Sequence, residues 1–266
     1  MTKVKNGSKI YIASALTFLY VPILVLIFFS FNKSKSRNLF TGFTLNWYKQ
    51  LLHNDLVLNA LGVTLVIAAI SSICATVLGT AAAVGIQSMK KLPRLAIMNV
   101  TYIPVINPEI VTGVSMLLMF TTLRYFLNFE MGFSTLVIAH ITFNLPYVIL
   151  SVNPKLRQLD SSIYDAALDL GCSPRQAFFK VVFPQIMPGI TTGFLMALTY
   201  SIDDFVISYF TSGTSQTLSI AIYAMTRRKV SPEINALSTL LFTVILLILL
   251  VMNLKDIKSN KKGERK

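Results

Sequence analysis

The chain has 266 residues, of which 54% are hydrophobic and only 13% charged, with a mean hydropathy of +0.65. A soluble chain carries about 25% charged residues, so the composition excludes a soluble enzyme or binding domain and predicts an integral membrane protein. The net charge of +13 does not point to nucleic acid: the cations cluster in short segments between apolar runs, without interleaved aromatics, as the positive-inside rule and anionic headgroups dictate.

A helix needs about 20 apolar residues to cross the hydrocarbon core, and six runs meet that requirement: 10–31, 57–86, 96–123, 132–152, 181–210 and 235–254. The expected fold is an all-α membrane protein of six transmembrane helices. A short N-terminus (1–9) precedes the membrane body (10–254), and a basic tail (255–266) follows it. The first run follows Lys3, Lys5 and Lys9 in the manner of a signal peptide. It is too long for a signal peptide's apolar core and lacks a small-x-small cleavage site, so it reads as a retained span. Lys and Arg number sixteen on the side holding both termini and the 87–95 and 153–180 loops, against eight on the other. That places both termini in the cytoplasm.

In chain order, the loop 32–56 carries Trp47, the only Trp, beside Tyr48. The pair fits an interfacial aromatic belt, or the outer entrance of a pathway whose π faces receive a cation. Span two is rich in Gly, Ala and Ser, which lets helices approach closely in lipid. Span three holds Pro104, Asn107, Pro108 and Glu109, and an ionisable group inside a span marks a partner or a watery cavity. Span four holds His140, read as a hydrogen-bonding group joining helices, with no ligand spacing for a metal. Span five holds Tyr200, Asp203 and Asp204. Neighbours on a helix point about 100° apart, so the two aspartates should not serve one point, while Tyr200 and Asp204 share a face. They form either a salt bridge to another helix or a negatively charged substrate cavity. The segment 211–234 is too polar at its ends to span and reads as lying on the outer surface. Cys74 falls in the bilayer and Cys172 in the cytoplasm, so no disulfide is expected.

The loop 153–180 is the longest polar interruption, and it is helix-forming. An Ala-rich helix should end at Gly171, and a second should open at Ser173-Pro174, an N-cap followed by a first-turn proline. Asp165-Ala166-Ala167, Gly171, Val181, Phe183 and Pro184 resemble the cytoplasmic motif E-A-A, three residues, G, nine residues, I, one residue, L-P of bacterial ABC importer membrane subunits. The spacing matches throughout, with Asp for Glu, Val for Ile and Phe for Leu. The resemblance implies a type I ABC importer permease fold in the bacterial inner (plasma) membrane, with coupling helices at about 160–180 built on Asp165, Ala166, Ala167, Gly171, Ser173 and Pro174. It further implies a cytoplasmic ABC ATPase dimer as partner, a second paralogous permease and an extracellular solute-binding protein. The chain has no Walker motif, so it is expected to be no enzyme and to hold no cofactor, with ATP and Mg on the ATPase. The segments around Trp47, His140, Ser201 and Ser231 look like the spermidine/putrescine importer permeases of the PotC type. That resemblance implies a polyamine path along Trp47, Glu109, Tyr200, Asp203 and Asp204. A permease for another small solute, or an ion-coupled carrier built from inverted repeats and broken helices, remain the alternatives.

Overall fold

Prolines and caps, more than hydropathy, decide where the apolar runs of this chain begin and end. A computed structural model describes residues 6–34, 39–228, 232–243 and 246–247. Among them the helices are α1 (Asn6–Ser30), α2 (Asn46–Leu52), α3 (Asp55–Gln87), α4 (Lys91–Ile106), α5 (Glu109–Leu127), α6 (Phe133–Gln158), α7 (Ser161–Asp169), α8 (Pro174–Ala177), α9 (Phe183–Asp203), α10 (Val206–Thr211) and α11 (Leu218–Arg228). Residues 232–243 are also helical. Among the described residues four helices are long and apolar enough to cross a membrane, Tyr11–Ser30, Asp55–Gln87, Phe133–Gln158 and Pro174–Asp203, and the bent pair α4–α5 makes a fifth. Most of the expected sixth span past residue 243, and the tail 255–266, lie outside the described residues, as do residues 1–5.

Two expected spans are broken. The third, 96–123, is two helices bent by 104°. Pro108 is the cause: it has no N–H to donate and it pushes the preceding residue out of the helical region. Asn107 is accordingly extended (φ −67°, ψ 142°), and Pro108 (φ −56°, ψ 135°) stands at the N-cap of α5. The fifth, expected over 181–210, begins earlier and ends earlier. It runs from Pro174 through α8, a π-helical turn at Phe178–Val182 and α9 to Asp203, where Asp204 turns extended (φ −61°, ψ 124°) before α10. Pro184 has no N–H for the carbonyl one turn back, and the wide turn before it absorbs the mismatch, with the Phe183 N–H on the Phe178 carbonyl.

The chain divides into two units, residues 1–58 with 222–266, and residues 59–221. In the first, the buried Asn32 organises the loop after α1. Its Nδ2 donates to the Leu39 carbonyl at 2.8 Å, and its Oδ1 accepts the Thr41 N–H at 3.0 Å. A lone antiparallel bridge to Phe43 closes the loop. In the second unit, α6 and α9 form the central pair. Gly189 and Gly193 sit one turn apart on the face of α9 that meets α6: a Cβ on Gly189 would lie 2.9 Å from the Ser151 carbonyl, and one on Gly193 3.2 Å from the Val148 Cα. This small-xxx-small contact lets the backbones close, and Val148, Val152, Ile186 and Ala197 are fully buried around it. A Cβ on Gly113 of α5 would lie 2.8 Å from the Phe210 ring of α10. The absence of a side chain there brings α5 and α10 together, and with them the two broken ends.

Candidate functional site

The breaks at 107–108 and 203–204 open onto one cavity of about 170 Å³, whose walls include Glu109, Tyr147, Tyr200, Asp203, Asp204 and Phe205. Irregular backbone at membrane depth is tolerated where it is buried in protein or lines a cavity, and here it does the latter. Glu109 is in the first turn of α5, where unpaired N–H groups and the helix dipole favour a negative charge. Asp204 accepts the Ile207 N–H at 3.2 Å on Oδ1 and the Ser208 N–H at 2.7 Å on Oδ2, and so caps α10. The two aspartates stand at the end of α9 and point to different partners: Asp204 turns to the N–H groups of α10, and Asp203 is exposed. Both border the cavity, as does Tyr200, whose carbonyl accepts the Asp204 N–H at 3.0 Å in the last helical bond of α9.

Aromatic surface completes the site. The Tyr147 and Tyr200 rings lie 4.5 Å apart at 46°, and the Phe205 and Tyr209 rings lie 5.5 Å apart at 40°. Tyr200 is 41% exposed, so its face is open. Carboxylates alternating with π faces suit a cation carried on an apolar chain. Among the described residues no three His, Cys, Asp or Glu side chains converge as a metal site needs.

Behind the cavity lies a buried polar network. His140 on α6 is 1% exposed. Its Nδ1 is 2.6 Å from the Ser201 hydroxyl and its Nε2 is 3.0 Å from the Ser208 hydroxyl. Ser201 continues to Ser71 on α3 at 3.1 Å, and Asp204 Oδ2 is 3.6 Å from Nε2. The sequence reading of His140 as a group that joins helices matches these contacts. Trp47 has a structural duty: it is 6% exposed, and its indole N–H donates to the Asn32 carbonyl at 2.7 Å, so the ring anchors α2 to the loop after α1.

At the far end of α9 the turn between α7 and α8 is built as its residues dictate. Asp160 caps α7 by accepting the Ser162 N–H at 3.0 Å, which holds its carboxyl below the usual carboxylate range. Gly171 takes the left-handed conformation (φ +85°). The Gly171 N–H then reaches the Leu168 carbonyl at 2.9 Å and the Cys172 N–H the Ala167 carbonyl at 3.1 Å, the two bonds that satisfy a helix C-terminus ending in Gly. Ser173 and Gln176 form a reciprocal capping box that starts α8. Asp165, Ala166, Ala167, Gly171, Ser173 and Pro174 thus lie in one helix–turn–helix. Asp165 also borders a cleft of about 370 Å³ with Tyr164, Val181 and Gln185.

Tyr147 and the serine partners of His140 are absent from the sequence-predicted site. The spacing Gly189–Gly193 was the available signal, since it aligns α9 against α6 and so sets Tyr147 beside Tyr200.

Residues 75–261 match the family model described as the binding-protein-dependent transport system inner membrane component. The putrescine transport system permease protein PotI of Escherichia coli (strain K12) is 40% identical over 231 residues, covering 85% of this chain and 82% of the relative. The spermidine/putrescine transport system permease protein PotC of Haemophilus influenzae is 33% identical over 244 residues, covering 91% and 93%. In fold, the chain is similar to a bacterial ABC transporter involved in the import of the acidic polysaccharide alginate, with a TM-score of 0.69 at 15% identity over 91% of this chain and 90% of that one.

Proposed function

Because the chain belongs to the family of binding-protein-dependent transport system inner membrane components, we propose that it is the permease subunit of an ATP-driven importer whose cargo is a polyamine, spermidine or putrescine. The observation that carries the cargo is the single cavity shared by Glu109, Asp203 and Asp204 with the Tyr147–Tyr200 pair. A polyamine places ammonium groups along a methylene chain, and spaced carboxylates with π surface between them match that pattern. The relatives named for putrescine and for spermidine/putrescine support the same cargo. Trp47 enters this reading as the peg of its loop, not as a ring that the cation touches.

The partners follow from the family and from what the chain lacks. The helix–turn–helix around Gly171 docks on a cytoplasmic ABC ATPase dimer, which binds ATP and Mg. A second, paralogous permease completes the membrane body, and an external solute-binding protein delivers the cargo. Both termini and the coupling turn face the cytoplasm, and ATP-driven closure of the ATPases rocks the permeases between inward-facing and outward-facing states.

The broken helices at 107–108 and 203–204 are also what an ion-coupled carrier displays, so one experiment separates the two readings. The permease is reconstituted in vesicles with its ATPase, paralogue and binding protein, and uptake of labelled spermidine and putrescine is followed with ATP inside or with an ion gradient alone. Uptake that needs ATP and every partner is expected. Uptake driven by the gradient, or ATP-driven uptake of an amino acid or iron chelate but of no polyamine, would sink the proposal.

A further inference from the structure

We infer that His140 is a positioning residue that sets the spacing of the cavity carboxylates, and through it the length of diamine the permease prefers. The inference rests on reading that cavity as the cargo site. Its ground is the way one ring spans the break that carries Asp203 and Asp204. Nδ1 holds Ser201 in the last turn of α9, and Nε2 holds Ser208 in the first turn of α10. No residue of the break itself is a proline or glycine, and the local device there, the Asp204 cap, orders the start of α10 without tying it to α9. The angle is instead set from α6 by the imidazole, braced from α3 by the Ser71–Ser201 contact.

The polar roles are consistent around the ring. Asp204 Oδ2 lies on the Nε2 side at 3.6 Å, which favours the proton on Nε2. Nε2–H then donates towards Ser208, and Nδ1 accepts from the Ser201 hydroxyl. Asp204 is turned inward, both oxygens engaged with the N–H groups of α10. Asp203, one residue earlier and exposed, is the carboxylate left to face the cavity. Its distance from Glu109 on α5 depends on how α9 ends, so the clamp governs which ammonium spacing fits both acids. His140 itself does not line the cavity.

The test uses His140→Ala, His140→Gln and His140→Asn in the complete reconstituted transporter, with a series of α,ω-diamines of increasing methylene count. The two polar atoms of a Gln amide are spaced about as the two ring nitrogens are and reach both Ser208 and Ser201, whereas Asn reaches only the Nδ1 position and leaves Ser208. We expect His140→Ala and His140→Asn to change the ratio of uptake between short and long diamines by about tenfold, within the hundredfold that a misplacement of about 1 Å can cost. His140→Gln should stay near the wild-type ratio. A second readout needs no transport: Asp203→Cys, with Cys74 and Cys172 replaced by Ser, is labelled with a cationic thiosulfonate reagent in purified, monodisperse permease. Its labelling rate should change severalfold with His140→Asn and little with His140→Gln. Equal loss of every diamine in all three variants, or an unchanged labelling rate, overturns the inference. A wild-type complex that imports no diamine defeats the cargo assignment, while the labelling still reports on the clamp.

Discussion

Replacing Gly171 isolates one variable, the backbone conformation of the coupling turn. At φ +85° a Cβ would meet no atom within 4 Å, so a side chain there adds no clash and the whole cost is that of a left-handed L-residue, about 1–2 kcal/mol. That cost acts on the two bonds closing α7, Gly171 N–H to Leu168 and Cys172 N–H to Ala167. A penalty of 1–2 kcal/mol lowers the population of the docked turn by about five- to thirtyfold. Asn visits the left-handed region several-fold more readily than other residues, and a β-branched side chain is a true outlier there. The expected order of coupling is therefore Gly, Asn, Ala, Val. The assay is the number of cargo molecules taken up per ATP hydrolysed in vesicles, with hydrogen exchange at residues 171 and 172 as the structural readout. Gly171→Val should lose uptake while the protein still inserts and purifies. Wild-type uptake and wild-type exchange in Gly171→Val would refute both the conformational argument and the docking role built on it.

Asp204→Ala and Asp204→Asn should both lower the melting temperature of the permease, Asn by less, because the two carboxylate oxygens accept two N–H groups of α10 and an amide offers only one acceptor oxygen. Asp203→Asn and Glu109→Gln should raise the KM for cargo by about ten- to a hundredfold, a loss of about 1.5–3 kcal/mol for a hydrogen bond to a charged group, with melting unchanged; unaltered KM in both removes them from the path. Trp47→Phe removes the indole N–H that donates to the Asn32 carbonyl, a hydrogen bond worth about 0.5–1.5 kcal/mol, and should destabilise the protein without changing the KM; a raised KM with normal stability would restore Trp47 to the pathway. Spin labels at Arg175 and Thr199 should hold their separation through the ATP cycle while a pair at Thr199 and Ile110 changes, and the reverse pattern would show that α9 bends rather than tilts.

The coupling turn was legible in the sequence because its chemistry is local. Ser173-Pro174 and Gly171 act on neighbouring N–H and carbonyl groups, and no distant residue is needed to place them. The breaks were not legible in the same way. Pro108 was visible, but prolines inside spans are often absorbed, as Pro104 is within α4, and hydropathy runs straight through 107–108. At Asp203-Asp204 there is no proline or glycine: the bend is made locally by a carboxylate that caps the next helix and at a distance by a histidine from α6. Glu109, Asp203 and Asp204 could be named as candidates because a carboxylate in an apolar run is conspicuous. Tyr147 could not, because an aromatic in such a run is ordinary until the register of α6 on α9 is known. Trp47 shows the opposite case, a conspicuous residue whose burial gives it a structural task.

The proposed coupling turn and the proposed cargo cavity are joined by one element. Pro174–Asp203 is a helical run of 30 residues, about 45 Å at 1.5 Å per residue. Two of its weak points, Gly189 and Gly193, are backed by α6, where the backbones touch. On the proposed function, a push on the Gly171 end would travel along this helix towards Asp203. Glu109 belongs to a different body: it starts α5, which bends away from α4 and packs on α10. Tilting the long helix must then change the separation of Asp203 and Glu109 unless α10 follows it rigidly, and whether α10 follows is decided at the His140 clamp. On the proposed function, cargo affinity and ATPase docking would bear on the same helix from opposite ends, which is the condition for one to bias the other.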